Sequence, residues 1–121
     1  MRPHDRPARI RRCELAVPGS SEKMMAKAAA MDLDYVFLDL EDAVAPANKA
    51  PARTNVADAV RAGGFAYREL VVRVNGLDTP RGNDDLRRVA RLALAAVLFT
   101  TVDSAAPVAV LSAALHTHGA P

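Results

Sequence analysis

With 121 residues, half of them apolar and a quarter charged, the chain has the makings of one globular domain with a modest core. A formal net charge of +2 is too small to argue for a nucleic-acid ligand, and no apolar run is long enough for a membrane span or a signal peptide. The single cysteine, Cys13, allows no internal disulfide, which fits a reducing cytoplasm and predicts a small buried hydrophobe.

Residues 1–11 place Arg2, Arg6, Arg9 and Arg11 around Pro3 and Pro7 and read as a flexible basic lead-in, leaving residues 12–121 for the folded unit. A short strand is predicted over 13–17, closed by Pro18 and Gly19. Ser20 or Ser21 then caps a helix with Glu22 in its first turn. Met24, Ala28 and Met31 recur at helical spacing and would be its buried face. Lys23 and Lys27 are four apart and share one side of that helix; on spacing alone they are a solvated surface pair.

The second strand, over 35–40, is the most informative stretch. Tyr35-Val36-Phe37-Leu38 has no polar alternation, as in a parallel strand covered on both sides. It ends in three carboxylates, Asp39, Glu41 and Asp42. Phe37, Asp39 and Glu41 share one face of an extended chain, while Leu38, Leu40 and Asp42 share the other. Such acids are tolerated where a strand emerges from the core, and α/β folds bind their ligands at that carboxyl end. Two readings stay open here: an acidic site that is metal-linked or hydrogen-bonding, or acids that cap the next helix or pair with nearby Arg and Lys.

A helix follows over 48–62, with Pro51 in its first turn, Val56, Ala59 and Val60 as its stripe, and Gly63-Gly64 as its stop. The third strand, over 69–75, sets Val71, Arg73 and Asn75 on one face and Leu70, Val72 and Val74 on the other. After a loop containing Thr79-Pro80, a short helix turns Leu86, Val89 and Ala90 inward and Arg87, Arg88 and Arg91 outward. A fourth strand over 95–102 leads to a helix capped by Asp103 or Ser104, with Val108, Leu111 and Leu115 buried. His116 and His118 close it; two apart on a helix, they do not face each other, and no metal site is expected there. Strict alternation of strand and helix requires a parallel sheet with right-handed crossovers. Neither common glycine-rich phosphate loop is present.

Three motifs in order carry a resemblance: Glu14-Leu-Ala-Val-Pro-Gly-Ser-Ser-Glu-Lys-Met, Phe37-Leu-Asp-Leu-Glu-Asp-Ala-Val-Ala-Pro and Val72-Arg-Val-Asn-Gly-Leu-Asp-Thr-Pro. From Arg12 onward the chain resembles the citrate lyase beta subunit and malyl-CoA lyase family, of the HpcH/HpaI aldolase superfamily. The resemblance implies a (β/α)8 barrel that makes or breaks carbon–carbon bonds in acyl-CoA thioesters with Mg2+. It implies that Arg73 is the catalytic strand-end arginine on the thioester or carboxylate oxygens, stabilising a developing enolate. Lys23 and Lys27 match lysines that hold the CoA portion, Asn75 lines the same mouth, and Asp39, Glu41 and Asp42 form an acidic rim around Arg73.

Two departures qualify the match. Thr100-Thr101 stand where the family has Pro-Lys, removing a cation from the rim. The chain stops where the family's fifth strand would begin, so the expected fold class is a parallel (βα)4 half of a TIM barrel, truncated before the fifth strand. The family's Mg2+ ligands and its acid/base carboxylate fall beyond that point, so no metal ligand is expected within this chain, and no turnover. Open edges at the first and fourth strands imply self-association. The alternative is a non-catalytic small-molecule binding or interaction module with an open parallel sheet. A receiver-like phosphoacceptor domain is disfavoured, because no lysine ends a later strand.

Overall fold

The computed structural model describes residues 9–65 and 69–120. The basic lead-in is therefore outside the described residues up to residue 8. Its last member is held, Arg11 being ion-paired with Glu69, and Arg12, the first residue of the expected folded unit, pairs with Asp34 through Nε at 3.1 Å.

Four strands alternate with four helices: β1 (Glu14–Pro18), α1 (Glu22–Ala29), β2 (Tyr35–Asp39), α2 (Lys49–Ala62, entered through a 3-10 turn at Pro46–Asn48), β3 (Glu69–Arg73), α3 (Gly82–Val89), β4 (Ala96–Leu98) and α4 (Ala105–Thr117). The strands form one sheet in the order β1-β2-β3-β4. All pairings are parallel, with Ala16 beside Phe37, Phe37 beside Val71, and Val71 beside Ala96. Each helix packs on the next, α1 on α2, α2 on α3 and α3 on α4. Sequential strand order with helices stacked in sequence is the arrangement of a barrel sector; a doubly wound sheet would place its first strand centrally.

Alternation along the strands separates two faces. Val17, Val36, Leu38, Val72 and Val74 form the core with Met25, Ala52, Val56, Leu86 and Val89 of the helices. Phe37 and Val71, of opposite parity, are buried but lie outside that core. They occupy the concave side, and so do Asp39 and Arg73 one step further along. No helix among the described residues is long and apolar enough to cross a membrane.

Several expectations need correction. Cys13 is exposed, because it precedes the first paired residue of an edge strand. The buried face of α1 is Met25 and Ala28, with Met24 49 % and Met31 38 % exposed. The Ser21 hydroxyl caps the helix by accepting from Met24 N at 3.2 Å, which sets the phase one residue later, and Met31 falls beyond the helix end. In α2 the fully buried residues are Ala52, Val56 and Ala57, while Ala59 and Val60 only flank the core. Strand β4 is three residues long, and of the final helix only Leu111 is buried. Val108 is 48 % exposed; the helix that packs most closely on α4 is α3. Ser104 takes the N-cap position of α4 without a side-chain bond.

Candidate active site at the carboxyl ends of the strands

Asp39 and Arg73 are the last residues of β2 and β3 and are direct register partners. Side chains of paired residues project from the same face, so the carboxylate and the guanidinium meet across the strands. Arg73 donates from Nε to Asp39 Oδ1 at 2.7 Å and from Nη2 to Oδ2 at 2.6 Å. The two oxygens also accept from the backbone, Oδ1 from Glu41 N and Oδ2 from Ala43 N, each at 2.9 Å. Asp39 is fully buried and has four hydrogen bonds in all. Burial pushes its pKa up, but the Arg73 hydrogen bonds and the two amides outweigh this and hold it below the usual carboxylate range. The pair raises the pKa of Arg73 in turn.

The guanidinium also lies over the Phe37 ring, 5.2 Å from its centroid. With Nε and Nη2 committed to Asp39, Nη1 has no hydrogen-bond partner among the described residues and keeps its protons for another acceptor. The side chain of Arg73 remains 21 % exposed while Asp39 is sealed.

Asn75 is at the same end of the sheet but belongs to a different network. Strand β3 ends at Arg73, so the strict alternation that predicts a shared face stops there. The Asn75 side-chain amide donates to Leu40 O at 2.9 Å and to Asp85 Oδ2 at 2.6 Å. Its Oδ1 accepts from Lys49 Nζ at 2.8 Å. Lys49 also donates to the carbonyls of Leu40 and Glu41, at 3.1 and 2.5 Å. Asp85, fully buried, takes Asn75 N at 3.0 Å and Arg53 Nε at 2.8 Å. The helices thus hold the ends of β2 and β3 through buried charged and polar side chains.

Lys49, Arg53 and Asp85 were not singled out from the sequence. A signal was present: Asp85 is four before Val89 on the inward stripe of α3, and Lys49 and Arg53 are four apart, in phase with Ala52 and Val56. A charge on an apolar stripe asks for a buried partner.

Glu41 and Asp42 line a cavity of about 1080 Å³ with Lys49, Asn75, Arg81, Thr100 and the first turns of α4. Asp39 and Arg73 do not line it. Glu41 accepts from the Thr100 hydroxyl at 3.3 Å. Thr101, also on the wall, has φ +62°, a left-handed conformation that is costly for a β-branched residue. A second cavity, of about 900 Å³, opens at the opposite ends of the strands beside Gly64 and Leu94 and contains no candidate site residue. Lys23 and Lys27 are both exposed on α1, Lys23 in its first turn just past the carboxyl end of β1 and Lys27 in its last turn, further from that end, and neither bonds to the Asp39 cluster.

The donor set does not fit a divalent cation. Asp39 is saturated by Arg73 and two amides, and among the described residues no three carboxylate, histidine or cysteine side chains gather as metal ligands. What the arrangement offers is a fixed guanidinium with one unspent nitrogen.

Comparison with known proteins agrees with this architecture. The HpcH/HpaI aldolase/citrate lyase family model matches residues 12–120. The chain is 49% identical over 74 residues to an L-malyl-CoA/beta-methylmalyl-CoA lyase of Cereibacter sphaeroides, covering 61% of this chain and 23% of that protein. It is 37% identical over 98 residues to the citrate lyase subunit beta of Leuconostoc mesenteroides subsp. cremoris, covering 81% and 32%. Among solved structures, CitE of Mycobacterium tuberculosis, in complex with magnesium, acetoacetate and coenzyme A, superposes with a TM-score of 0.69 at 34% identity, over 85% of this chain and 38% of that one. The chain therefore spans less than half the length of each of these relatives. It is an unclosed, partial TIM-barrel-like α/β fold, and it belongs to the HpcH/HpaI aldolase/citrate lyase family.

Proposed function

We propose that this chain carries the substrate-gripping part of a cytoplasmic Mg2+-dependent carbon–carbon lyase acting on acyl-CoA thioesters of the malyl-CoA or citryl-CoA type. The observation that supports the reading most is the free Nη1 of Arg73, with its plane fixed by Asp39 and Phe37. A thioester or carboxylate oxygen is the natural acceptor for such a donor. Because the guanidinium is already oriented, it would stabilise negative charge growing on that oxygen without reorganising. Lys23 and Lys27 would supply cations for the phosphates of CoA. Glu41, Asp42 and Asn75 would form the rim of the mouth.

Bound Mg2+ would supply the positive charge that polarises the oxygens of a departing oxo-acid. This chain's own carboxylates do not fit it, so the bond-breaking step is not assigned to these residues, and the chain by itself would bind without turning over. It would also self-associate through the exposed edges of β1 and β4.

The test is calorimetric titration of the 121-residue chain with acetyl-CoA. Replacing Lys23 and Lys27 together by Ala should weaken binding by about tenfold or more, and Arg73→Met should remove the preference for acetyl-CoA over free CoA. Equal affinity in all variants would remove these residues from the site and favour a module with a different ligand.

A further inference from the structure

Lys49 opens α2, whose first turn contains no acid, and it forms no ion pair among the described residues. A cation in that place works against the helix macrodipole. Its ammonium is spent instead on three neutral oxygens: Leu40 O at 3.1 Å, Glu41 O at 2.5 Å and Asn75 Oδ1 at 2.8 Å. An ammonium has three protons, so all of them face the protein and none is left for a ligand. Helix stability gives no reason for this lysine; the turn it grips does.

Leu40 O and Glu41 N belong to one peptide unit. That unit is planar and trans, so its C=O and N–H point in opposite directions. On one side Lys49 Nζ and Asn75 Nδ2, the latter at 2.9 Å, hold the carbonyl. On the other, the N–H donates to Asp39 Oδ1 at 2.9 Å, and the same oxygen accepts from Arg73 Nε at 2.7 Å. The next carbonyl, of Glu41, is held by the same ammonium, and two residues on Ala43 N donates to Asp39 Oδ2. The turn over 40–43 therefore presents an amide to each Asp39 oxygen while Lys49 holds its first two carbonyls.

We propose that Lys49 is a positioning residue for Arg73: by gripping the Leu40–Glu41 peptide from one side, it aims the Glu41 amide at Asp39 on the other and so fixes the plane of the guanidinium that meets the acyl group. This rests on the acyl-binding role proposed above for Arg73. The cation on the carbonyl also polarises the peptide and strengthens its N–H as a donor. Asn75, held in turn by Asp85 of α3 at 2.6 Å, shares the carbonyl, so the peptide is set from two helices. Without the ammonium the peptide gains freedom to rotate, the Glu41 amide can leave Asp39, and Arg73 loses a constraint on its plane.

The test compares the 121-residue chain with Lys49→Met, which keeps the aliphatic stem, by hydrogen exchange and by calorimetric titration with acetyl-CoA and free CoA. Exchange of the Glu41 amide and of Arg73 Nε–H should quicken about tenfold more than that of the core amides of β2 and β3, because a local opening is read separately from global unfolding. The preference for acetyl-CoA over CoA should fall about tenfold. Leu33→Ala, in the core at the opposite ends of the strands, is the comparison: it should speed the core amides and leave the preference intact. Lys49→Gln, which removes the charge and shortens the reach, takes the place of Lys49→Met where circular dichroism shows the latter unfolded. Equal quickening of all amides, an unchanged preference, or the same loss of preference in Leu33→Ala makes Lys49 a staple of the fold and overturns the proposal. A wild type without preference for acetyl-CoA overturns the acyl-binding reading instead, and the exchange pattern still decides whether Lys49 orients Arg73.

Discussion

Asp39 and Arg73 show how one buried ion pair both holds a site and constrains stability. The carboxylate has no exposure and four hydrogen bonds, so removing either partner strands a charge. Asp39→Asn should cost about 3–5 kcal/mol in chemical denaturation, a large share of the stability of a small domain. Replacing both, Asp39→Leu with Arg73→Met, should recover most of that loss while leaving acyl-CoA binding impaired. Recovery of binding together with stability would mean that the pair only supports the fold. The pair also sets an acid limb. The pKa of Asp39 is depressed in the folded state, so the native state holds fewer protons than the unfolded chain as pH falls past the ordinary aspartate value of about 3.9. Its contribution is complete above that value and is lost as pH drops through the folded one. Asp34, whose pKa is lowered first of all by its Arg12 hydrogen bonds, titrates in the same direction. Urea midpoints of the wild type should therefore decline below about pH 4, and those of Asp39→Asn should decline less.

At the level of elements, junctions carry more constraint than interiors. Gly19 follows β1 where the chain turns into α1, and its amide donates to Asp39 O at 2.8 Å. A Cβ at that position would meet Val56 Cγ2 at 2.6 Å and Asp39 O at 2.8 Å. Neither can move freely, since one is a fully buried core side chain and the other is backbone of the site. Gly19→Ala should lower the denaturation midpoint by an amount equivalent to roughly 1–3 kcal/mol and disturb Asp39. Ser21→Ala, three residues on from Pro18, removes only the cap on Met24 N. It should cost about 1 kcal/mol and leave ligand affinity unchanged, since α1 is otherwise anchored by Met25 and Ala28. Equal effects of the two substitutions on binding would mean that α1, not the β1 turn, positions the site.

Considered as a whole, the molecule is a sheet sector with a well-supported middle and two unsatisfied flanks. Asp39 and Asp85, the buried carboxylates at the strand ends, are already committed to protein partners, so malyl-CoA and citryl-CoA should remain uncleaved by the purified chain even with excess Mg2+. Magnesium-dependent turnover would mean that Glu41 and Asp42, which line the cavity, recruit the ion.

The alternation of strands and helices, the acids at the end of β2, the arginine at the end of β3 and the family are all legible along the chain. These depend on local spacing, on parity along a strand and on motifs that stay contiguous in the chain. Which polar groups meet emerges with the packed sheet. Strand parity placed Asn75 with Arg73, but β3 ends two residues earlier, and Asn75 turns to Lys49 and Asp85 instead. The burial of Asp85 against Arg53, at 2.8 Å from a residue 32 positions away, is a contact between helices that no local period encodes. The phase of α1 shifted because one hydroxyl cap fixed its start, and α4 stayed half-covered because coverage depends on neighbours in space. Which residues can form an element is a property of short stretches of chain; which of them are buried, paired or left for a partner depends on packing across the whole sheet.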